Sequence, residues 1–279
     1  IGEARVLKLA NDTFLFDTEA TSQERVLKTL ERFTLAGDFH VTDLRDELAL
    51  VSIQGARAAS IVEATLGAEA SLVKHWRIHT GQWNNQPLHV IRASATAEDG
   101  FDLFVGQAEV ASLWDALEAS GARAVGSEAL EVLRIEAGIA RYGVDVDETN
   151  VVLEAVPDDA VSFMKGCYIG QEIIARIHWR GHVAKKLTGL VFDQQGDATR
   201  DDKIRSVDGK EIGRLTSVAF SPRLDCLLAL GYVKYDYLAP GTEVLVRSGE
   251  TDLTARVAEL PHVRGSWYET GASTTEAQA

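Results

Sequence analysis

The sequence is short of several residue types, and cysteine is the most informative of them. The 279 residues include only two cysteines, Cys167 and Cys226. Two cysteines make no disulfide framework, and no Cys-x-x-Cys pair is present, so the sequence predicts neither a zinc site nor a self-contained cluster site. Reduced thiols are typical of the cytoplasm, where we expect the protein to act, or of the mitochondrial matrix if the source is a eukaryote.

Long apolar runs and an excess of positive charge are lacking as well. No apolar run approaches the roughly 20 residues that span a bilayer, and the opening residues, Ile1 to Arg5, lack the charged-then-apolar order of a signal peptide. The chain carries 42 acidic and 28 basic residues, a net charge of −14. We therefore expect no membrane partner and no direct nucleic-acid binding, which needs a broad basic face.

One short stretch departs from this acidic character. It contains several basic side chains, namely Arg176, His178, Arg180, His182, Lys185 and Lys186. Two interpretations stay open: a solvated loop, or a patch that attracts an anionic ligand such as a polyglutamate tail. His178 and His182 have the four-residue spacing of a helical metal face, but Gly181 lies between them and no third ligand is evident, so we predict no metal site.

Hydrophobic periodicity divides the chain into two parts. Up to about residue 183, short strands alternate with amphipathic helices, such as a helix over 107–120 with Leu113, Trp114 and Leu117 on its inner face. From 187 to 260, strand-like runs are separated by Gly-Asp, Asp-Gly and Pro-Gly turns. The pattern predicts an α+β domain over 1–183, a small barrel or sandwich over 184–270, and a disordered tail over 271–279, where apolar content is too low to pack.

The most distinctive stretch surrounds the first cysteine and reads Lys165-Gly166-Cys167-Tyr168-Ile169-Gly170-Gln171-Glu172. An ammonium two residues away and the start of a helix at Gln171 both favour the thiolate over the thiol. Ile173, Ile174 and Ile177 fit one face of that helix. The spacing alone leaves two alternatives open: a thiol prepared for chemistry, or a buried, inert cysteine in a glycine turn.

A second unusual segment covers residues 134–149. Three acids, Asp145, Asp147 and Glu148, follow the pair Tyr142-Gly143. A phenol stacks well on a pteridine ring, and a carboxylate accepts hydrogen bonds from an aminopyrimidine edge. The alternative is a polar loop whose acids face water, which is what clustered acids most often form.

These segments resemble a known family. The octapeptide around Cys167 resembles the signature of the YgfZ-like folate-binding proteins of iron–sulfur cluster assembly and repair, which are relatives of the aminomethyltransferase (T-protein) of glycine cleavage. The Arg-x-Glu-x-Gly…Tyr-Gly-x-Asp-x-Asp-Glu run at 134–148 is similar to the folate-binding run of the aminomethyltransferases. Residues 213–217, 229–233 and 240–242 are similar to the closing barrel of the same superfamily.

The resemblance implies a fold and a set of site residues. The fold would be an α+β folate-binding body of ferredoxin-like modules followed by a small C-terminal β-barrel, and a further N-terminal segment of the family would precede this sequence. Tyr142 and Glu148 would contact the pterin of tetrahydrofolate or another reduced folate. Glu136 would contact it too or, with Asp145, brace the loop. Further implied folate contacts are Gln171 and Glu172, and the implied reacting groups are Cys167 and Lys165.

Three functional hypotheses follow from the resemblance. The first is a tetrahydrofolate-binding accessory protein that acts through Cys167 in iron–sulfur cluster assembly or repair, with iron–sulfur enzymes or assembly proteins as partners and with support of tRNA modification as a consequence. The second is a tetrahydrofolate-dependent aminomethyl or methyl transferase of the T-protein type. The third is a non-enzymatic folate-binding or docking module in which Cys167 is structural. The cysteine octapeptide separates the first from the second, since the aminomethyltransferases do not carry it.

Overall fold

The computed structural model describes residues 3–35, 37–155 and 161–270. Its contacts group the chain into two compact units, residues 1–130 with 264–279, and residues 131–263. The strands are β1 Ala4–Lys8, β2 Phe14–Thr18, β3 Leu48–Gln54, β4 Ile78–Trp83, β5 Gln86–Arg92, β6 Gly100–Gly106, β7 Lys185–Phe192, β8 Lys203–Ser206, β9 Glu211–Ser221, β10 Cys226–Lys234, β11 Glu243–Ser248 and β12 Thr251–Ala258. The helices are α1 Ala20–Thr34, α2 Ala58–Leu66, α3 Ala68–Ser71, α4 Val110–Ala119, α5 Ser127–Glu136, α6 Gln171–Arg180 and α7 Ser266–Thr270.

The first unit is built on a four-stranded antiparallel sheet in the order β3-β6-β5-β4. Successive side chains of the inner strand β6 point to opposite faces, and both faces are covered. Phe101, Leu103 and Val105 join the core that includes residues of α2 and α4. Phe104 lies in a separate cluster, against which the β1–β2 hairpin packs. Because both faces are buried, β6 is apolar along nearly its whole length.

The second unit contains a closed barrel of six strands in the order β10-β7-β12-β11-β8-β9. Aliphatic side chains fill its interior, including Leu190, Ile204, Leu215 and Val246, all with no exposed surface. Strands β9 and β10 shift register at Leu230/Gly231. A Cβ at Gly231 would lie 2.8 Å from the carbonyl oxygen of the neighbouring strand, so this position requires glycine.

Residues 131–155 pack on the outer face of this barrel. Leu228, Leu230 and Tyr232 alternate along β10 with the inward-facing residues and form a separate cluster with Ile135 of α5. A short 3₁₀ turn at Val152–Glu154 follows the loop after α5. The outer face of the barrel therefore supports the segment that the sequence singled out at 134–149.

The predicted α+β body followed by a small C-terminal β-barrel is confirmed. Strand β8 was not predicted from the sequence. The predicted domain boundary at 183/184 stays a prediction; β7 begins at Lys185, and residues 131–183 group with the barrel strands by their contacts. The predicted disordered tail, 271–279, lies outside the described residues. In the described ranges, no helix has the length and apolar character that a membrane crossing requires.

Candidate functional site

The Cys167 loop, residues 161–170, leads directly into α6, and its thiol is exposed. The backbone N–H of Lys165 donates to Ser162 Oγ at 3.2 Å, and the backbone N–H of Tyr168 donates to Gln171 Oε1 at 3.2 Å. Gly170 has a φ of 87°, in the left-handed region that glycine adopts at little cost, and it joins the loop to the helix. These bonds close the loop on the helix start and leave the thiol at its surface.

Aromatic contacts hold the same loop from the side. The ring of Phe163 stacks on His178 of α6, with centroids 3.8 Å apart and planes 23° apart. Lys165 Nζ lies 4.7 Å from the centroid of the Tyr168 ring, a cation–π distance. A shallow groove runs between loop and helix; its lining residues are Phe163, Lys165, Tyr168, Gln171, Glu172, Ala175 and Trp179.

The groove brings together Lys165, Gln171 and Glu172, which the sequence had singled out. It also includes Phe163 and Trp179, which the sequence analysis missed. Their one signal was aromatic character close to the cysteine in a chain with only 7% aromatic residues.

The three isoleucines that the sequence places on one face of α6 are not buried to the same extent. The side chain of Ile173 is 62% exposed, whereas Ile174 and Ile177 are half-buried, and no α6 side chain is fully buried. The half-buried residues of α6 are Gln171, Ile174, Ala175 and Ile177. Adjacent residues of a helix are about 100° apart around its axis, so a strip that covers Ile174 leaves Ile173 outside.

The second candidate region is the loop over residues 139–150, which follows α5. The Tyr142 hydroxyl donates to Glu148 Oε2 at 3.3 Å; the phenol ring is half-buried and the carboxylate side chain is exposed. Asp147 accepts from Thr149 Oγ1 at 2.5 Å and from the Thr149 N–H at 2.8 Å. These two bonds lower the pKa of Asp147, because they stabilise its ionised form. The loop thus presents an aromatic face beside carboxylates.

A buried carboxylate braces this loop against the barrel. Asp145 is 1% exposed. One of its oxygens accepts from Arg134 Nη1 at 2.8 Å and from the Arg141 N–H at 3.0 Å. The other accepts from the hydroxyls of Thr216 at 2.5 Å and Ser217 at 2.7 Å, both on β9. All four donors converge on one ion, which fixes the backbone that carries Tyr142.

Glu136, the last residue of α5, makes a similar connection. It is 4% exposed, and its Oε1 accepts from the Ser221 hydroxyl at 2.5 Å. Its side chain therefore fastens the end of α5 to β9, and a contact with folate stays a prediction for this residue. The β9 partners of Glu136 and Asp145 were missed from the sequence, because serine and threonine in a barrel strand carry no signal of a distant carboxylate.

Comparison with known proteins agrees with this architecture. The GCVT N-terminal domain model matches residues 1–165, and the glycine cleavage T-protein C-terminal barrel domain model matches residues 185–263. An aminomethyltransferase of Rubrobacter xylanophilus is 33% identical over 252 residues, which cover 90% of this chain and 66% of the relative. An aminomethyltransferase of Herpetosiphon aurantiacus is 30% identical over 259 residues, which cover 93% of this chain and 72% of the relative.

The fold is also similar to a solved structure. The crystal structure of glycine cleavage system aminomethyltransferase T from Bartonella henselae aligns with a TM-score of 0.80 at 23% identity, covering 95% of this chain and 72% of that chain. The chain spans about two thirds of the length of the relatives that it matches, 66% and 72% for the two named above. Because the two domain models together match most of its residues, the chain belongs to the glycine cleavage T-protein family.

Proposed function

We propose that this chain is a tetrahydrofolate-binding, cytoplasmic member of the T-protein family that acts in iron–sulfur cluster assembly or repair through the thiol of Cys167. The observation that carries the proposal is the exposure of that thiol within the octapeptide at 165–172. Cys226, in contrast, is half-buried and packs against the cluster on the outer barrel face. A thiol that acts on a partner protein has to be accessible, and of the two cysteines Cys167 is the exposed one.

The loop over 139–150 has side chains of the kind that a reduced folate requires. The exposed carboxylate of Glu148 is suited to accept hydrogen bonds from an aminopyrimidine edge, and the half-buried phenol of Tyr142 offers a ring face for the pterin. The Asp145 network holds this loop in place before any ligand arrives, which reduces the ordering cost of binding. Bound tetrahydrofolate would carry a one-carbon unit on N5, on N10 or bridged between the two.

The Cys167 loop and α6 are proposed to supply the reacting thiol and two further folate contacts. The thiolate of Cys167 is the form that ligates iron or exchanges with a disulfide. Gln171 and Glu172 are proposed as further folate contacts, since both line the groove beside this loop. The partners would be iron–sulfur enzymes or their assembly proteins.

A second candidate function is aminomethyl or methyl transfer to or from tetrahydrofolate. The observation that favours it is that the similar proteins named above are aminomethyltransferases. In such a reaction the protein would contribute chiefly by holding donor and acceptor in a reactive orientation. A glycine-cleavage assay with purified partner proteins separates the two candidates: turnover in that assay supports the transferase, and its absence beside intact folate binding supports the accessory role.

The proposed function is tested with the variant Cys167→Ser and the matched control Cys226→Ser. We expect Cys167→Ser to bind tetrahydrofolate with unchanged affinity in isothermal titration, since the pterin contacts come from another loop. We expect it to lose complementation of cells that lack the native protein and depend on iron–sulfur enzymes under oxidative stress. Full complementation by Cys167→Ser would refute a role for the thiol.

Two further variants test the folate contacts. Tyr142→Ala and Glu148→Ala should each weaken folate binding by up to about tenfold, since an aromatic contact contributes roughly 0.5–1.5 kcal/mol beyond its burial and tenfold corresponds to about 1.4 kcal/mol. Glu243→Ala removes an exposed carboxylate of the barrel and serves as the control. Unchanged affinity in both loop variants would place the folate site elsewhere.

A further inference from the structure

Large apolar side chains are exposed on both sides of Cys167. Met164, the one methionine of the chain, is 90% exposed, and Ile169 is 99% exposed. On the adjoining helix α6, Ile173 is 62% exposed and Trp179 is 72% exposed. Single exposed apolar residues are ordinary, but a cluster of four around one loop and one helix marks an interaction site.

One exposed face of α6 combines an apolar side chain with two cations. Ile173, Arg176 and Arg180 follow each other at three- and four-residue spacing, so their side chains lie on one face of the helix, and Trp179 borders it. We call this face, together with the Cys167 loop, the Cys167 surface. Trp, Arg and Met are enriched at protein interfaces, where an apolar body and a polar or adaptable tip are both useful.

The charge of the Cys167 surface is opposite to that of the chain as a whole. Lys165, Arg176 and Arg180 are exposed, and in the part of the chain that the structure describes none of them lies in an ion pair. Glu172 is the single acid in the described part of this loop and helix, while the whole chain has a net charge of −14. A locally positive surface on an acidic protein attracts an anionic partner and repels a basic one.

We propose that the Cys167 surface docks a partner protein that presents acidic side chains around an apolar centre, with the group that reacts or coordinates placed at the Cys167 thiol. The inference rests on the proposed function, in which Cys167 acts on partner proteins, and it names the chemistry of their docking face. The apolar centre of the partner packs against Trp179 and Ile173. Arg176, Arg180 and Lys165 pair with the acidic rim and steer the encounter.

Charged disulfide peptides test the docking face without any need to know the partner. The protein carries Cys226→Ser, so that Cys167 is its one thiol. Each peptide has a central cysteine as its 2-pyridyl disulfide, flanked by leucine and glutamate, by leucine and lysine, or by glycine and glutamate. The Cys167 thiolate attacks the cysteine sulfur, a mixed disulfide forms, and 2-thiopyridone leaves; its absorbance gives the rate constant.

We expect the leucine–glutamate peptide to react fastest, at least about tenfold faster than the leucine–lysine peptide at low salt, because electrostatic steering changes association rates by ten- to a thousandfold. The preference should shrink at high salt, where screening shortens the reach of the charges. Arg176→Glu and Arg180→Glu should each reduce or reverse it. Lys210→Glu, the same charge change at an exposed position between β8 and β9, should leave it intact.

The apolar part is tested by Trp179→Ala, which should remove the advantage of the leucine–glutamate over the glycine–glutamate peptide. Equal rates for all three peptides, or no effect of both arginine reversals, would overturn the docking inference. Neither result would affect complementation through the Cys167 thiol or folate binding by the loop over 139–150. Concentration-dependent dimers in sedimentation that vanish in Trp179→Ala would assign the surface to a second copy of this chain, and that result would overturn it too. Failure of the proposed function shows separately, as full complementation by Cys167→Ser.

Discussion

Removal of the Asp145 carboxylate is expected to destabilise the barrel-containing unit and release the loop over 139–150. Asp145 is 1% exposed and receives four hydrogen bonds, two of them from hydroxyls of β9. The other two come from Arg134 and from a backbone N–H of the loop itself. The substitution Asp145→Ala breaks all four without adding a clash.

The magnitude depends on which donors keep another partner. Arg134 keeps its ion pair with Glu131, whose Oε2 accepts from Nε at 2.8 Å, and Thr216 keeps the Leu230 carbonyl at 3.1 Å. The loop N–H loses a buried acceptor, as does one serine hydroxyl, and each such loss costs about 1–3 kcal/mol. Two such losses amount to about 2–6 kcal/mol. Because Arg134 keeps Glu131, its charge is not left unpaired when Asp145 is removed, and we expect a total near the middle of that range, about 4 kcal/mol.

The assay is urea unfolding of Asp145→Ala beside Asp147→Ala, together with hydrogen exchange over residues 139–150. Asp147 accepts only from Thr149 in a partly exposed turn, so its removal should cost less than about 1 kcal/mol. The Asp145 variant should also show faster exchange in the loop and weaker folate binding. A free energy of unfolding within about 1 kcal/mol of the parent, with loop exchange unchanged, would refute the bracing argument.

Three further predictions concern the thiols, the barrel and its pH dependence. Iodoacetamide should modify Cys167 first in the native protein, since burial and then Asp225 raise the pKa of Cys226; equal rates, followed by mass spectrometry, would contradict this. Gly213→Ala should lower the free energy of unfolding by several kcal/mol and lower the melting temperature, because the added Cβ would overlap the carbonyl oxygen of Tyr232. An unchanged melting temperature would show that the two strands can move apart at this position. Burial lowers the pKa of His262 in the folded protein. As the pH falls below about 6.5, the imidazole therefore takes up a proton more readily in the unfolded state than in the folded state. The free energy of unfolding should decrease between pH 7 and pH 5, and it should decrease less in His262→Gln.

Local sequence patterns determined several of the secondary-structure elements and both candidate site segments. Glycine-bounded apolar runs and turn dipeptides predicted the β-rich C-terminal region, and helical periodicity predicted α4, because each such pattern reflects a face that has to be buried locally. The octapeptide around Cys167 and the Tyr142 to Glu148 run were singled out from the sequence alone. Strand β8 was not predicted from the sequence, because it has four residues and a single buried apolar side chain, Ile204, which give too little periodicity.

Only the tertiary structure decided which polar groups meet and which apolar groups stay uncovered. Asp145 is separated from Thr216 by 71 positions, and no local pattern marks a carboxylate that will be buried by a strand so far along the chain. Closure of the barrel brings β9 beneath the loop and creates that partnership. In the same way, Ile173 resembles Ile174 in sequence, yet only one of them packs, because burial along a helix depends on the width of the surface that it contacts.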